Sequence, residues 1–188
     1  WSGACTGTGS CVVPMTAAQS VTATFTLQTF ALTVSTAGNG SGAVTGTGIS
    51  CPVDCTETYD YNTSVTLTAT PTTGSTFTGW SGACTGTGSC VVPMTAAQSV
   101  TATFTLQTFA LTVSTAGNGS GAVTGTGISC PVDCTETYDY NTSVTLTATP
   151  TTGSTFTGWS GACTGTGPCV VSMTAAQSVT ATFTLQTF

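Results

Sequence analysis

The stretch SVTATFTLQTFALTVS, from Ser99 to Ser114, decides the fold through its parity. Val100, Ala102, Phe104 and Leu106 alternate with Thr101, Thr103 and Thr105. From Phe109 onward the apolar residues, Leu111 and Val113 among them, sit at odd positions instead. Successive side chains of a strand point to opposite faces, so each half reads as a half-buried strand. A change of parity means that the two strands serve different cores. The boundary between units therefore falls near Gln107 and Thr108, and near Gln28 and Thr29 one copy earlier. Neither linker contains Gly or Pro. A short, β-favouring linker restricts the swing of neighbours and predicts a fairly stiff rod of domains.

The boundary recurs because the sequence does. Trp1, Trp80 and Trp159 are spaced by 79 residues, as are Cys51 and Cys130. The expected organisation is the C-terminal part of one unit at 1–29, complete units at 30–108 and 109–187, and the start of another at 188. The copies differ at two positions only, Ser10/Ser89/Pro168 and Pro14/Pro93/Ser172. The chain opens inside a repeat and without an initiator Met, which reads as a window on, or a processed piece of, a longer array.

Elsewhere in the unit the period is also two. Val65, Leu67 and Ala69 alternate with threonine in SVTLTATP, and Phe30, Leu32 and Val34 stand on one face of FALTVS. Threonine suits the solvent face of a strand because its branched Cβ fits the pleat. The segments AGNGSG (37–42), TGTG (45–48) and PTTGS (71–75) read as turns. TAAQ (95–98) is the best helix candidate and allows about one turn. The fold class is all-β: tandem small domains, β-grasp-like or β-sandwich-like, stapled by disulfides into a rod-like array.

Composition removes several functions. There is no Lys, Arg or His, and the six charges are Asp54, Glu57, Asp60, Asp133, Glu136 and Asp139. Nucleic-acid binding needs cations against phosphate, and so does docking on anionic lipid. Without Lys there are no Lys–Asn isopeptide crosslinks. No apolar run approaches the roughly 20 residues of a membrane helix, so membrane insertion is not expected in this segment. With so little charge, solubility rests largely on threonine, which supplies 21 of residues 30–108.

The order LTVS, GNGSG, two cysteines, Tyr, SVTLTATP, GSTFTGWSGAC, Cys, Met, SVTATF resembles the divergent InlB B-repeat family, across both complete units and the leading partial one. The resemblance implies small, mostly β domains in tandem on bacterial surface or secreted proteins. It implies spacer, adhesive or matrix roles and carries no catalytic residue onto this chain.

Ten cysteines in close pairs point to disulfides and an oxidising compartment. They are Cys5, Cys11, Cys51, Cys55, Cys84, Cys90, Cys130, Cys134, Cys163 and Cys169. Local pairs, Cys51–Cys55 and Cys84–Cys90, are favoured, with cross-pairing such as Cys55–Cys84 left open by the spacing. A four-thiolate zinc site at Cys51, Cys55, Cys84 and Cys90 is the competing reading. A redox site would need a cation to depress a thiol pKa, and none exists. The glycine-rich loop of WSGACTGTGSC lacks the following helix and the Lys of a phosphate cradle. Asp54, Glu57 and Asp60, repeated at Asp133, Glu136 and Asp139, are the one set that calcium could use, although their spacing fits no standard loop. Trp1, Trp80 and Trp159 are expected as core aromatics beside a cysteine clasp; an exposed Trp80 or Tyr59/Tyr61 would instead stack on a sugar. Rows such as Thr66, Thr68 and Thr70 could carry O-glycans, and Asn39 and Asn62 begin N-x-S triplets.

The leading expectation is a non-enzymatic, extracellular or cell-surface bacterial protein, without a cofactor, that self-associates as a stalk, fibre or filament. The alternative is an adhesin whose repeated sites bind cell-surface glycans with avidity. One consequence needs no structure: trypsin has no residue to cut. The reduced, unfolded chain should survive trypsin intact by mass spectrometry, and any tryptic fragment contradicts the expectation.

Overall fold

A computed structural model describes residues 1–187. Phe188, read above as the first residue of a further unit, lies outside them. The first complete unit contains β3 (Thr29–Ala37), β4 (Gly42–Gly46), β5 (Ile49–Cys51), β6 (Thr56–Asp60), β7 (Ser64–Pro71), β8 (Ser75–Gly82), β9 (Cys90–Pro93) and β10 (Gln98–Leu106). The second unit repeats this order from β11 (Thr108–Ala116) to β18 (Gln177–Leu185). One sheet runs β6-β3-β10-β8 and the other β5-β4-β7-β9. Leu32, Val44, Leu67, Val92, Val100 and Phe104 join residues of both sheets in one core. Two sheets sharing a core make a β-sandwich. A β-grasp needs a helix across its sheet, and no helix occurs among the described residues.

The first and last strands of the unit pair side by side, and they pair parallel. Gln98 to Thr103 of β10 lie against Leu32 to Ala37 of β3; β11 and β18 repeat the arrangement. All other pairings are antiparallel. Phe104, fully buried, contributes on the order of 2–3 kcal/mol by its burial.

The turn AGNGSG explains its own composition. It lies with its backbone against the end of β10. Gly40 N–H donates to the Phe104 carbonyl at 3.1 Å, and Leu106 N–H donates to Asn39 Oδ1 at 3.1 Å. Gly38 has φ +95°, and a Cβ there would stand 1.9 Å from the Phe104 carbonyl oxygen. A Cβ on Gly42 would stand 2.3 Å from the Phe104 ring. Bare backbone is what lets the aromatic ring close the sandwich.

Two features depart from simple alternation. In β8, Phe77 and Trp80 both face the core although their parities differ. The register against β10 shifts between Thr103 and Phe104, so that Phe77 opposes Phe104 while Gly79 opposes Thr103. Thr78 is the extra residue of a β-bulge, which turns the strand and re-aims Trp80 inward. The expected helical turn at TAAQ does not form. Four residues offer too little helix to offset nucleation. Met94 beside them is buried and exchanges backbone hydrogen bonds with Asn62 and Thr63, which holds the segment as a sheet-to-sheet crossing.

Residues 1–29 carry the same words without their partners. They form only the short pair β1 (Ser2–Gly3) and β2 (Val21–Thr22). Phe25 is 90% exposed, whereas its equivalent Phe104 is 0% exposed. Residues 1–28 contain no counterparts of the strands β3 to β7 that help enclose Phe104.

Replacing Gly38 with Ala should lower the unfolding free energy by about 3 kcal/mol or more, because backbone strain and a steric clash add. Gly86→Ala, at φ +78° with open space around it, should cost only about 1–2 kcal/mol. Chemical denaturation of the two variants tests the difference; equal losses would contradict the packing.

Candidate functional site

The cysteine pairs sit where the chain changes sheets. β5 ends at Cys51 in one sheet, and β6 begins at Thr56 in the other. Cys51 and Cys55 are bonded across that crossing with Cα atoms 4.5 Å apart. β8 leaves the first sheet at Gly82 and β9 enters the second at Cys90. Cys84 and Cys90 are bonded there, 5.5 Å apart at Cα. Cys130–Cys134 and Cys163–Cys169 repeat both clasps, and Cys5–Cys11 closes the loop of the partial unit. No cysteine is free. Neither the Cys55–Cys84 cross-pair nor the four-thiolate zinc set is assembled.

Both clasped loops also fold back along a sheet edge. Ser50 and Asp54 exchange backbone hydrogen bonds at 2.8 Å, covering part of β5, and Val34 N–H donates to the Cys55 carbonyl. Gly86 accepts from Trp80 N–H at 2.7 Å, covering part of β8. Free strand edges invite further pairing, and these two are partly blunted.

Trp80 is 6% exposed, and Trp159 is buried equally. The Trp80 indole N–H donates to the Gly88 carbonyl at 2.9 Å, and Phe77 meets the ring edge-on at 4.9 Å. Trp159 does the same with Gly167. The disulfide loop and the indole thus hold each other. Trp1 departs from the expectation of a core residue. It bonds its own loop at Gly9 but is 44% exposed, because residues 1–29 have no sandwich to bury it. An open groove of about 250 Å³ runs beside Trp80, lined by Thr66, Thr68, Phe77, Thr87 and Gly88. Trp80 itself lines this groove, but at 6% exposure it offers too little ring for a sugar to stack on.

The carboxylates separate. Asp54 stands in the clasped loop, Glu57 lies over Gly48, and Asp60 is exposed at the end of β6. Among the described residues no three acidic, cysteine or histidine groups converge as a cation site. Alternation along β6 turns Glu57 and Asp60 to opposite faces. Tyr59, between them, donates from its hydroxyl to the Thr47 carbonyl. Burial first, then the charges of Glu57 and Asp54, push its phenol above the usual range. It stays neutral and remains a donor.

The chain belongs to the divergent InlB B-repeat family, whose model matches residues 32–108 and 111–187. Members of this family are tandem repeats associated with the bacterial surface or exterior. No curated protein sequence matches. Two solved structures give weak overall likenesses. The major pilin protein T-13 of Streptococcus pyogenes is 10% identical, with TM-score 0.41 over 86% of this chain and 98% of that one. The shaft pilin spaA of Lactobacillus rhamnosus GG, as its E269A mutant, is 7% identical, with TM-score 0.27 over 87% and 99%. Values this low carry no functional argument.

Closing loops this short stabilises by roughly 2 kcal/mol each in the chain-entropy model. The double variant Cys84→Ser/Cys90→Ser should lose about that much in chemical denaturation. Non-reducing peptide mapping should recover Cys51–Cys55 and Cys84–Cys90; a Cys55–Cys84 peptide would contradict the clasps.

Proposed function

We propose that this chain is a structural element of the bacterial exterior, a stiff stalk or filament without catalytic activity. The observation that supports it most is the parallel pairing of the first and last strands of each unit. Strands β3 and β10 run the same way, so the chain enters a sandwich at one pole and leaves at the other. Adding units then adds length. At about 3.3 Å per residue, the staggered pair spans about 40 Å per repeat.

The chemistry of the unit supports the same reading. The thiols are spent on clasps, the indoles on loop carbonyls, and there is no cation to activate a nucleophile. The disulfides suit an oxidising exterior. The buried indoles argue against the glycan-binding alternative, which wants an exposed aromatic platform.

Electron microscopy of the native material, with small-angle scattering of the chain, tests the proposal. Straight rods with an axial repeat near 40 Å per unit are expected. Freely curling threads without a fixed spacing would overturn it.

A further inference from the structure

The linker between the complete units is tied down on both sides. Gln107 is the one residue between β10 and β11. Its N–H donates to the Gly74 carbonyl of the first unit at 2.8 Å. Its carbonyl accepts from Tyr140 N–H of the second unit at 2.8 Å. Gly74 lies in the turn between β7 and β8 at φ +81°, and a Cβ added to it would stand 2.0 Å from Tyr140 Cδ1. The tyrosine ring of one repeat therefore rests on the bare turn of the repeat before it. Phe109, at the start of β11, backs that ring at 6.4 Å between centroids.

The flanking copies of the same residues act as controls. Gly153 is the equivalent of Gly74 and has φ +82°, yet a Cβ there meets nothing within 4 Å. Gln186 N–H already donates to the Gly153 carbonyl at 2.9 Å. Tyr61 is the equivalent of Tyr140, and its N–H donates to the Gln28 carbonyl at 2.7 Å. Tyr61 is 50% exposed, whereas Tyr140 is half-buried. Each flank carries one half of the joint, and only the middle junction carries both.

We propose that consecutive repeats lock into one orientation by seating a tyrosine on a bare glycine turn. Gly153 with Gln186 is then the next seat, and its occupant is a further copy of this unit. The proposal rests on the stalk reading and supplies its mechanism. A one-residue linker limits distance but leaves rotation about its own bonds. Tying both faces of Gln107 and seating Tyr140 removes that rotation. The contact is neutral, so screening by salt should leave it intact.

Small-angle scattering of the full chain with paired substitutions tests the joint. Tyr140→Ala should broaden the inter-unit distance distribution, while Tyr61→Ala, which removes the same ring without a seat, should leave it unchanged. Gly74→Ala should do what Tyr140→Ala does, whereas Gly153→Ala, with the same positive φ but no ring against it, should not. Loss of folding caused by the ring or by φ alone would appear in both members of a pair. Equal effects within both pairs overturn the joint. A native chain that already scatters as freely jointed overturns the stalk reading instead. In a chain lengthened by one further copy, Gly153→Ala should acquire the effect of Gly74→Ala; if it does not, the next seat is refuted.

Discussion

Everything in the unit is arranged around one buried contact, the ring of Phe104 against the bare backbone of the AGNGSG turn. Strand β10 runs between a parallel and an antiparallel neighbour, so its inner face must be filled from both sheets at once. A large ring does this only where the chain opposite has no side chain. The glycines at 38 and 42 and the amide of Asn39 meet that demand together, which joins local turn chemistry to core packing. Residues 1–29 mark the dependence. They contain the sequence of β10 but not the strands that surround it, and Val21, Phe25 and Leu27 stay in solvent.

From this centre the functional geometry follows. A central β10 beside a parallel β3 puts entry and exit at opposite poles. The remaining strands must then cross between sheets several times, and two of those crossings are closed by disulfides. A disulfide over so short a loop adds little entropy compared with a long one. Its position at a crossing and along an edge matters more, since it holds the two sheets together where no ladder does. In the complete units, Trp80 and Trp159 complete the Cys84 and Cys163 clasps from the core side. A unit of this size benefits from such staples, because its core alone is modest.

Much of this was legible. The period of two, the parity change at Gln107 and the pairing of near cysteines follow from strand geometry and loop closure, which are local. Where local rules failed, longer-range contacts had won. TAAQ became a crossing because Met94 is anchored by Asn62 and Thr63, far away along the chain. Phe77 and Trp80 share a face because a bulge absorbs Thr78; the glycine after it was the available signal. The carboxylates at 54, 57 and 60 lie near one another in sequence, but Asp54 stays in the clasped loop and β6 turns Glu57 and Asp60 to opposite faces. The seat for Tyr140 left only a faint trace, a glycine in PTTGS and a second tyrosine in YDYN.

The near-perfect repetition separates the two sources of information. Sequence alone determined the alternating strands, the change of parity at Gln107 and the oxidised, cation-free chemistry, because each depends on residues adjacent along the chain. It gave Phe25 and Phe104, Trp1 and Trp80, Gly74 and Gly153 identical neighbours. Only the tertiary structure made one of each pair buried or covered and the other open. Burial is a property of what the rest of the chain brings into contact. At a junction, that is the next repeat.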